Sequence, residues 1–213
     1  MTLPIQDRGT AGRQLAQALA STTPGKEALI LALPRGGVPV GREIADRLGI
    51  PLDILLVRKL GAPGQRELAI GAIASGGVRV LNQDIVRSLH LSDDEIEELA
   101  QVEQRELERR EQVYLGDRRR REVTGKTIIL VDDGVATGAT MRAAIQALRL
   151  QKPARIIVAL PLAPRDTVTM LAREADDVVC LYHPEPFIAI GCWYKDFTQV
   201  TDEEVRDLLK DVD

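Results

Sequence analysis

Short, continuous apolar runs recur along this chain at residues 28–33, 52–57, 127–131, 155–160 and 178–181, with helix-like segments between most of them. A run that is apolar at every position suits a strand covered on both faces, the situation in which helices flank a parallel sheet. The intervening stretches 40–48, 140–150 and 167–174 have amphipathic helical character. An opening helix over 7–20 places Ala11, Leu15, Ala18 and Leu19 at helical spacing and is stopped by Pro24-Gly25. The order strand, helix, strand predicts an open, doubly wound parallel α/β sheet with ligands beyond the carboxyl ends of its strands.

Two regions depart from that alternation. Residues 58–77 are rich in glycine and polar residues, with 61–68 expected as a mobile loop and a short strand at 78–81 after it. Ser92-Asp93-Asp94-Glu95 has the form of a capping box and opens a long, solvated helix to about Arg121, with sparse apolar positions at Ile96, Leu99, Leu107 and Tyr114. Arg118 to Arg121 would close that helix, where cations suit the negative end of the dipole. The 213 residues are read as a single domain, 1–213, with a flexible loop at 58–77, an inserted helix at 92–121 and a C-terminal hood at 182–200.

Composition narrows the function classes. A net charge of -4 and an aromatic content of 3% argue against nucleic acid and against anionic membrane surfaces, though a local basic pocket can still hold a small phosphate. The cysteines Cys180 and Cys192 and the histidines His90 and His183 have no structural-zinc spacing, and both cysteines are expected to be buried, reduced thiols. The first residues lack the basic start and apolar run of a leader, and no stretch is apolar for the roughly 18 residues of a membrane span. A cytoplasmic location is the expectation.

The segment Ile128-Ile129-Leu130-Val131-Asp132-Asp133-Gly134-Val135-Ala136-Thr137-Gly138-Ala139-Thr140 carries the most chemistry. It is a buried strand running into two acids and then into a small, hydroxyl-bearing turn that opens a helix. Thr137 to Thr140 would aim free backbone N–H groups and two hydroxyls at one point on a helix N-terminus, where the dipole favours phosphate. Two carboxylates beside an anion would repel it unless they serve another partner, such as the vicinal hydroxyls of a sugar. Phosphate plus diol describes a ribose phosphate. The plainer alternative is a strand-to-helix connection whose Asp and Thr residues only cap the helix. Pro34-Arg35-Gly36-Gly37, after the first strand, offers a second anion site through a forked cation and two glycines, or an ordinary turn with an exposed arginine.

The first of these segments resembles the thirteen-residue signature of type I phosphoribosyltransferases, and Asp132-Asp133-x-x-Ala136-Thr137-Gly138 is closest to the adenine version of it. The resemblance covers roughly residues 28–197 and implies a magnesium-dependent enzyme that transfers the ribosyl phosphate of phosphoribosyl diphosphate (PRPP) to a nitrogen base. It implies that Asp132 and Asp133 hold the ribose hydroxyls and meet Mg2+ largely through water, and that Ala136, Thr137, Gly138, Ala139 and Thr140 hold the 5-phosphate. By the same resemblance Arg35, Gly36 and Gly37 form the diphosphate loop, and Arg58 and Lys59 precede a lid that would shut water away from a cationic transition state. Phe187, Trp193 and Tyr194 look like the hood over the base, while their aromatic rings would serve equally as core.

Departures from the pattern bear on substrate and on turnover. Hypoxanthine-type enzymes carry an aspartate where this chain has Ala136, and adenine-type enzymes use a glutamate from the flexible loop, for which Glu67 is the candidate base here. Adenine, guanine, xanthine, uracil and a non-standard amine all survive as acceptors. A catalytically silent sensor of PRPP or nucleotide is the alternative, supported by Ala136. The family is commonly dimeric, so a homodimer is expected, with the charged helix as a candidate contact.

Overall fold

The computed structural model describes residues 3–22 and 27–210, apart from the side chains of Arg66 and Glu67. The helix stop expected at Pro24-Gly25 lies outside the described residues. At the centre is a five-stranded parallel sheet built from β1 (Ala28–Ala32), β2 (Leu52–Ile54), β6 (Thr127–Val131), β7 (Arg155–Leu162) and β8 (Asp177–Tyr182), in the order β2-β1-β6-β7-β8. The doubly wound sheet read from the apolar runs is therefore the observed one.

Successive side chains of a strand point to opposite faces, and this alternation feeds two separate cores. Ile30, Ile129 and Ile157 pack with Leu15 and Leu19 of α1 (Arg8–Ala20), Val40 and Ile44 of α2 (Gly37–Leu48), Leu107 of α4 (Asp93–Leu115) and Val205 of α7 (Asp202–Leu209). Leu29, Leu31, Ile128, Leu130, Ile156 and Val158 face the other way, onto Met141, Ile145 and Leu148 of α5 (Ala139–Leu150) and Leu171 of α6 (Arg165–Leu171). Burying a Leu or Ile side chain is worth about 1.5–3 kcal/mol, so runs that are apolar on both faces can only be satisfied between two helical layers.

Helix boundaries follow local chemistry. Asp7 caps α1 by accepting the Thr10 backbone N–H at 2.6 Å. The second helix begins at Gly37, three residues before the predicted Val40, so the Arg35-Gly36-Gly37 turn is itself the entry to a helix. Two helices were not foreseen, the short α3 (Gln83–Ser88) and α7, which opens on a capping box between Thr201 and Glu204.

Residues 58–77 correct the sequence reading most plainly. The stretch expected as a loop is paired: β3 (Val57–Ala62) and β4 (Gln65–Ala74) form an antiparallel hairpin turning at Pro63-Gly64, and β5 (Val78–Leu81) completes a three-stranded antiparallel sheet. Glycine misled the reading because Gly71 lies inside a strand, where a Cβ would run into the Val80 carbonyl oxygen. The predicted strand 52–57 likewise divides, its first half in the parallel sheet and Val57 in the hairpin.

The long helix is also shorter than expected. It opens on the Ser92–Glu95 capping box but ends at Leu115, with Gly116 at a positive φ of 56°. Arg118 to Arg121 consequently do not close a helix. Arg118 donates to the carbonyl oxygens of Leu209 and Leu52 at 2.8 and 2.9 Å, and the Arg121 backbone N–H donates to the buried Asp53 carboxylate at 2.9 Å. Arg118 and Arg121 thus tie the chain after α4 to the sheet edge. The expectation of two buried cysteines is corrected too: Cys180 is half-buried and Cys192 exposed. Among the described residues no helix is long and apolar enough to cross a membrane.

Leu107 is fully buried and fixes α4 to the core. Leu107→Ala is expected to lower unfolding stability by about 2–5 kcal/mol, read as a shift of the denaturant midpoint at unchanged slope.

Candidate functional site

The strand order reverses between β1 and β6, so the loops leaving their carboxyl ends diverge and open a crevice there. The two strands stay paired to their last residues, with the Leu33 N–H donating to the Val131 carbonyl at 2.9 Å. The loop after β1 then lies directly on the acids after β6. A Cβ on Gly36 would fall within the Asp133 carboxylate, and one on Gly37 would meet the Val131 carbonyl oxygen at 2.7 Å and the Asp132 Cα at 3.0 Å. Both positions require glycine by close approach alone. The motifs read separately as anion loop and acid pair thus form one surface, with the Pro34–Arg35 peptide cis.

Asp133 is buried and Asp132 half-buried. The Asp133 backbone N–H donates to Asp132 Oδ1 at 2.8 Å, and Arg8 Nε donates to Asp133 Oδ2 at 2.8 Å. Burial, and then the neighbouring charge of Asp133, hold the Asp132 carboxyl well above the usual carboxylate range. Burial raises Asp133 as well, with Arg8 opposing it. Arg8 escaped the sequence reading. It sits at the start of α1, 125 residues from its partner, donates also to the Thr198 carbonyl at 2.8 Å, and stacks on Phe197 at 3.9 Å from the ring centre.

The turn at Ala136 to Thr140 is held from behind. Thr167 Oγ1 donates to the Ala136 carbonyl at 2.7 Å. Gly138 takes φ 80°, a left-handed conformation natural to glycine, and a Cβ there would meet Met170 Cε at 2.6 Å. The helix α5 starts at the next residue, and the first N–H groups of a helix have no partner within it. Ala136, Thr137, Ala139 and Thr140 are exposed, so those amides and two hydroxyls face outward at the positive end of the helix.

The basic candidates divide. Arg58, Pro34 and Thr140 line one small cavity of about 40 Å³, which brings a hairpin cation between the loop after β1 and the start of α5. Arg58 also donates to Glu103 of α4 at 2.6 Å. Arg35 reaches Asp202 at 3.5 Å. Lys59 alternates to the other side of β3 and shares a cavity of about 270 Å³ with Ala139 and Arg142. The side chain of Glu67, the candidate base, lies outside the described residues.

In the hood, Phe187 and Trp193 are half-buried against Ile5, Leu162 and Tyr194. Tyr194 does not serve as an open stacking platform, which corrects its assignment to the base. It is buried, packs on Phe197 at 5.1 Å between ring centres, and donates its hydroxyl to the Asp133 carbonyl at 2.7 Å. Burial is the main cause that pushes its phenol far above the usual range, so it stays protonated and supports the acid loop.

A crevice at the strand switch, lined by two adjacent acids and an exposed helix N-terminus, is an α/β site whose chemistry can take a phosphorylated sugar. The sequence profile of the phosphoribosyl transferase domain matches residues 3–192, and the chain belongs to that family. A Mycobacterium tuberculosis (strain H37Rv) protein, Rv0571c, whose name provisionally designates it a phosphoribosyl transferase, is 49% identical over 201 residues, 94% of this chain. The chain spans only 45% of that relative's length. The bifunctional protein PyrR of Chloroflexus aurantiacus is 32% identical over 143 residues, covering 64% of this chain and 72% of PyrR. Among solved structures, TT1426 from Thermus thermophilus superposes with a TM-score of 0.88 at 42% identity, over 96% of this chain and 97% of that one.

The raised Asp132 carboxyl gives a signed expectation. The folded chain binds a proton there that the unfolded chain has already released, so ionisation costs stability above the ordinary carboxylate range, about pH 4. Asp132→Asn should raise the thermal midpoint near pH 7, by roughly 2–4 °C per kcal/mol relieved, and the gain should fade as pH falls toward about 4. Gly36→Ala should act oppositely and destabilise by about 1–3 kcal/mol through overpacking, as differential scanning calorimetry would record.

Proposed function

We propose that this protein transfers the 5-phosphoribosyl group of PRPP to the nitrogen of a purine or related nucleobase and releases diphosphate. The observation that supports the reading is the seating of Gly36 and Gly37 on Asp132 and Asp133, which brings the loop after β1, the acid pair and the turn that opens α5 around one crevice.

In this reading the α5 terminus and the Thr137 and Thr140 hydroxyls anchor the 5-phosphate, while Asp132 and Asp133 accept hydrogen bonds from the ribose hydroxyls. Arg8 and Tyr194 hold the acid loop in place. The C1–O bond breaks with its electron pair leaving on the diphosphate, and the base nitrogen supplies the pair for the new bond. Arg35 and Arg58 stabilise the charge that gathers on the leaving group, while Lys59, on the other side of β3, is not brought to it. Phe187 and Trp193 flank the acceptor, and Glu67 is the candidate to remove its proton.

Magnesium fits this donor set as a shared rather than a caged ion. Asp132 and Asp133 are hard oxygen donors whose mutual repulsion favours a nearby cation, and among the described residues no cluster of three or more His, Cys, Asp or Glu could hold a metal by itself. When bound, Mg2+ would neutralise charge on the substrate oxygens, which with water would supply most of its coordination. The proposal also includes a homodimer, as the family resemblance implies, and a cytoplasmic location.

Diphosphate release from PRPP with Mg2+, assayed across a panel of nucleobases, tests the reading. Wild-type protein should show release that depends on one base, and Asp132→Asn with Asp133→Asn should reduce it by about a hundredfold or more. PRPP binding detected by calorimetry without release for any base would instead favour the silent sensor.

A further inference from the structure

The long helix α4 presents an inward stripe at alternating spacings of four and three residues: Ile96, Ala100, Glu103, Leu107, Arg110 and Tyr114. Ile96, Ala100, Leu107 and Tyr114 are buried, as a core-facing stripe requires. Glu103 and Arg110 break the pattern, and a charge at an inward position asks for a functional partner. Glu103 has one across the fold, Arg58 of β3.

Arg110 has its acid partner, Glu106, on its own helix at 2.8 Å. That pair could form at any exposed helix position and is worth little, so it does not account for an arginine on this stripe. What Arg110 faces does account for it. It lines the cavity that holds Pro34, Arg58 and Thr140, and also an adjoining polar cavity of about 180 Å³ with Arg35, Arg109 and Asp202. With Pro34 it is common to both cavities, and of those two it alone carries a charge, between the loop after β1 and the start of α5.

We propose that Arg110 is a diphosphate-binding residue supplied by α4, completing a cradle of three guanidinium groups with Arg35 and Arg58. The proposal rests on the transfer reading above and gives the inserted helix a part in it. Each of the three cations is held by an acid from α4 or α7, Arg58 by Glu103, Arg110 by Glu106 and Arg35 by Asp202. A diphosphate entering between them offers stronger, forked acceptors than those carboxylates and takes over the cations.

Calorimetric titration of the full chain with inorganic diphosphate plus Mg2+, and separately with ribose 5-phosphate, tests the cradle. Arg110→Gln should weaken diphosphate binding about tenfold while ribose 5-phosphate binds as before. Arg110→Lys, which keeps the charge without the fork, should fall between. Arg105→Gln, on the exposed face of the same helix, should match wild type. Unchanged diphosphate affinity in Arg110→Gln, or an equal loss of both ligands, overturns the assignment. Wild-type protein that binds neither ligand overturns the transfer reading, and the cradle with it.

Discussion

The pairing of β1 with β6 governs this molecule. It runs unbroken to the ends of both strands and delivers two unlike loops to the same place, glycine-rich from one and acidic from the other. Gly36 and Gly37 have no side chains to hold the loops apart, so backbone rests on carboxylate. The site's geometry is therefore set by a sheet buried on both faces, among its least deformable parts.

Against that rigid frame the electrostatics are unfavourable by construction. Two adjacent carboxyls share a largely desolvated position, and burial raises both above the usual carboxylate range. Arg8 offsets part of the strain and at the same time ties α1 to the hood through Thr198 and Phe197. Tyr194 braces the acid loop from below. Groups kept at a cost to the fold are expected where a ligand supplies the missing complement.

The α4 helix turns two charged side chains inward beside this crevice. Its outward positions are charged and solvated, and its inward stripe is apolar except at the two positions that face the basic groups near the crevice. Attachment through Leu107 and Tyr114 places Glu103 and Arg110 within reach of loops distant in sequence. The sheet edge beside it is secured by Arg118 and Asp53, a buried carboxylate satisfied by backbone N–H groups.

The sequence alone determined the parallel sheet, because continuous apolar runs leave few other ways to bury two faces, and it determined the acid pair and the small turn that opens α5, because they are contiguous in the chain. It misjudged residues 58–77, where glycines that permit close strand approach look locally like loop, and the run Arg118 to Arg121, in which Arg118 and the Arg121 backbone find partners at Leu52, Asp53 and Leu209. Only the tertiary structure decided that Arg8 meets Asp133, that Tyr194 is a brace rather than a platform, and that Arg110 faces the crevice. The physical reason is the same throughout: periodicity and motif report forces acting between near neighbours in the chain, whereas a charge's partner across 125 residues is chosen by how the layers pack.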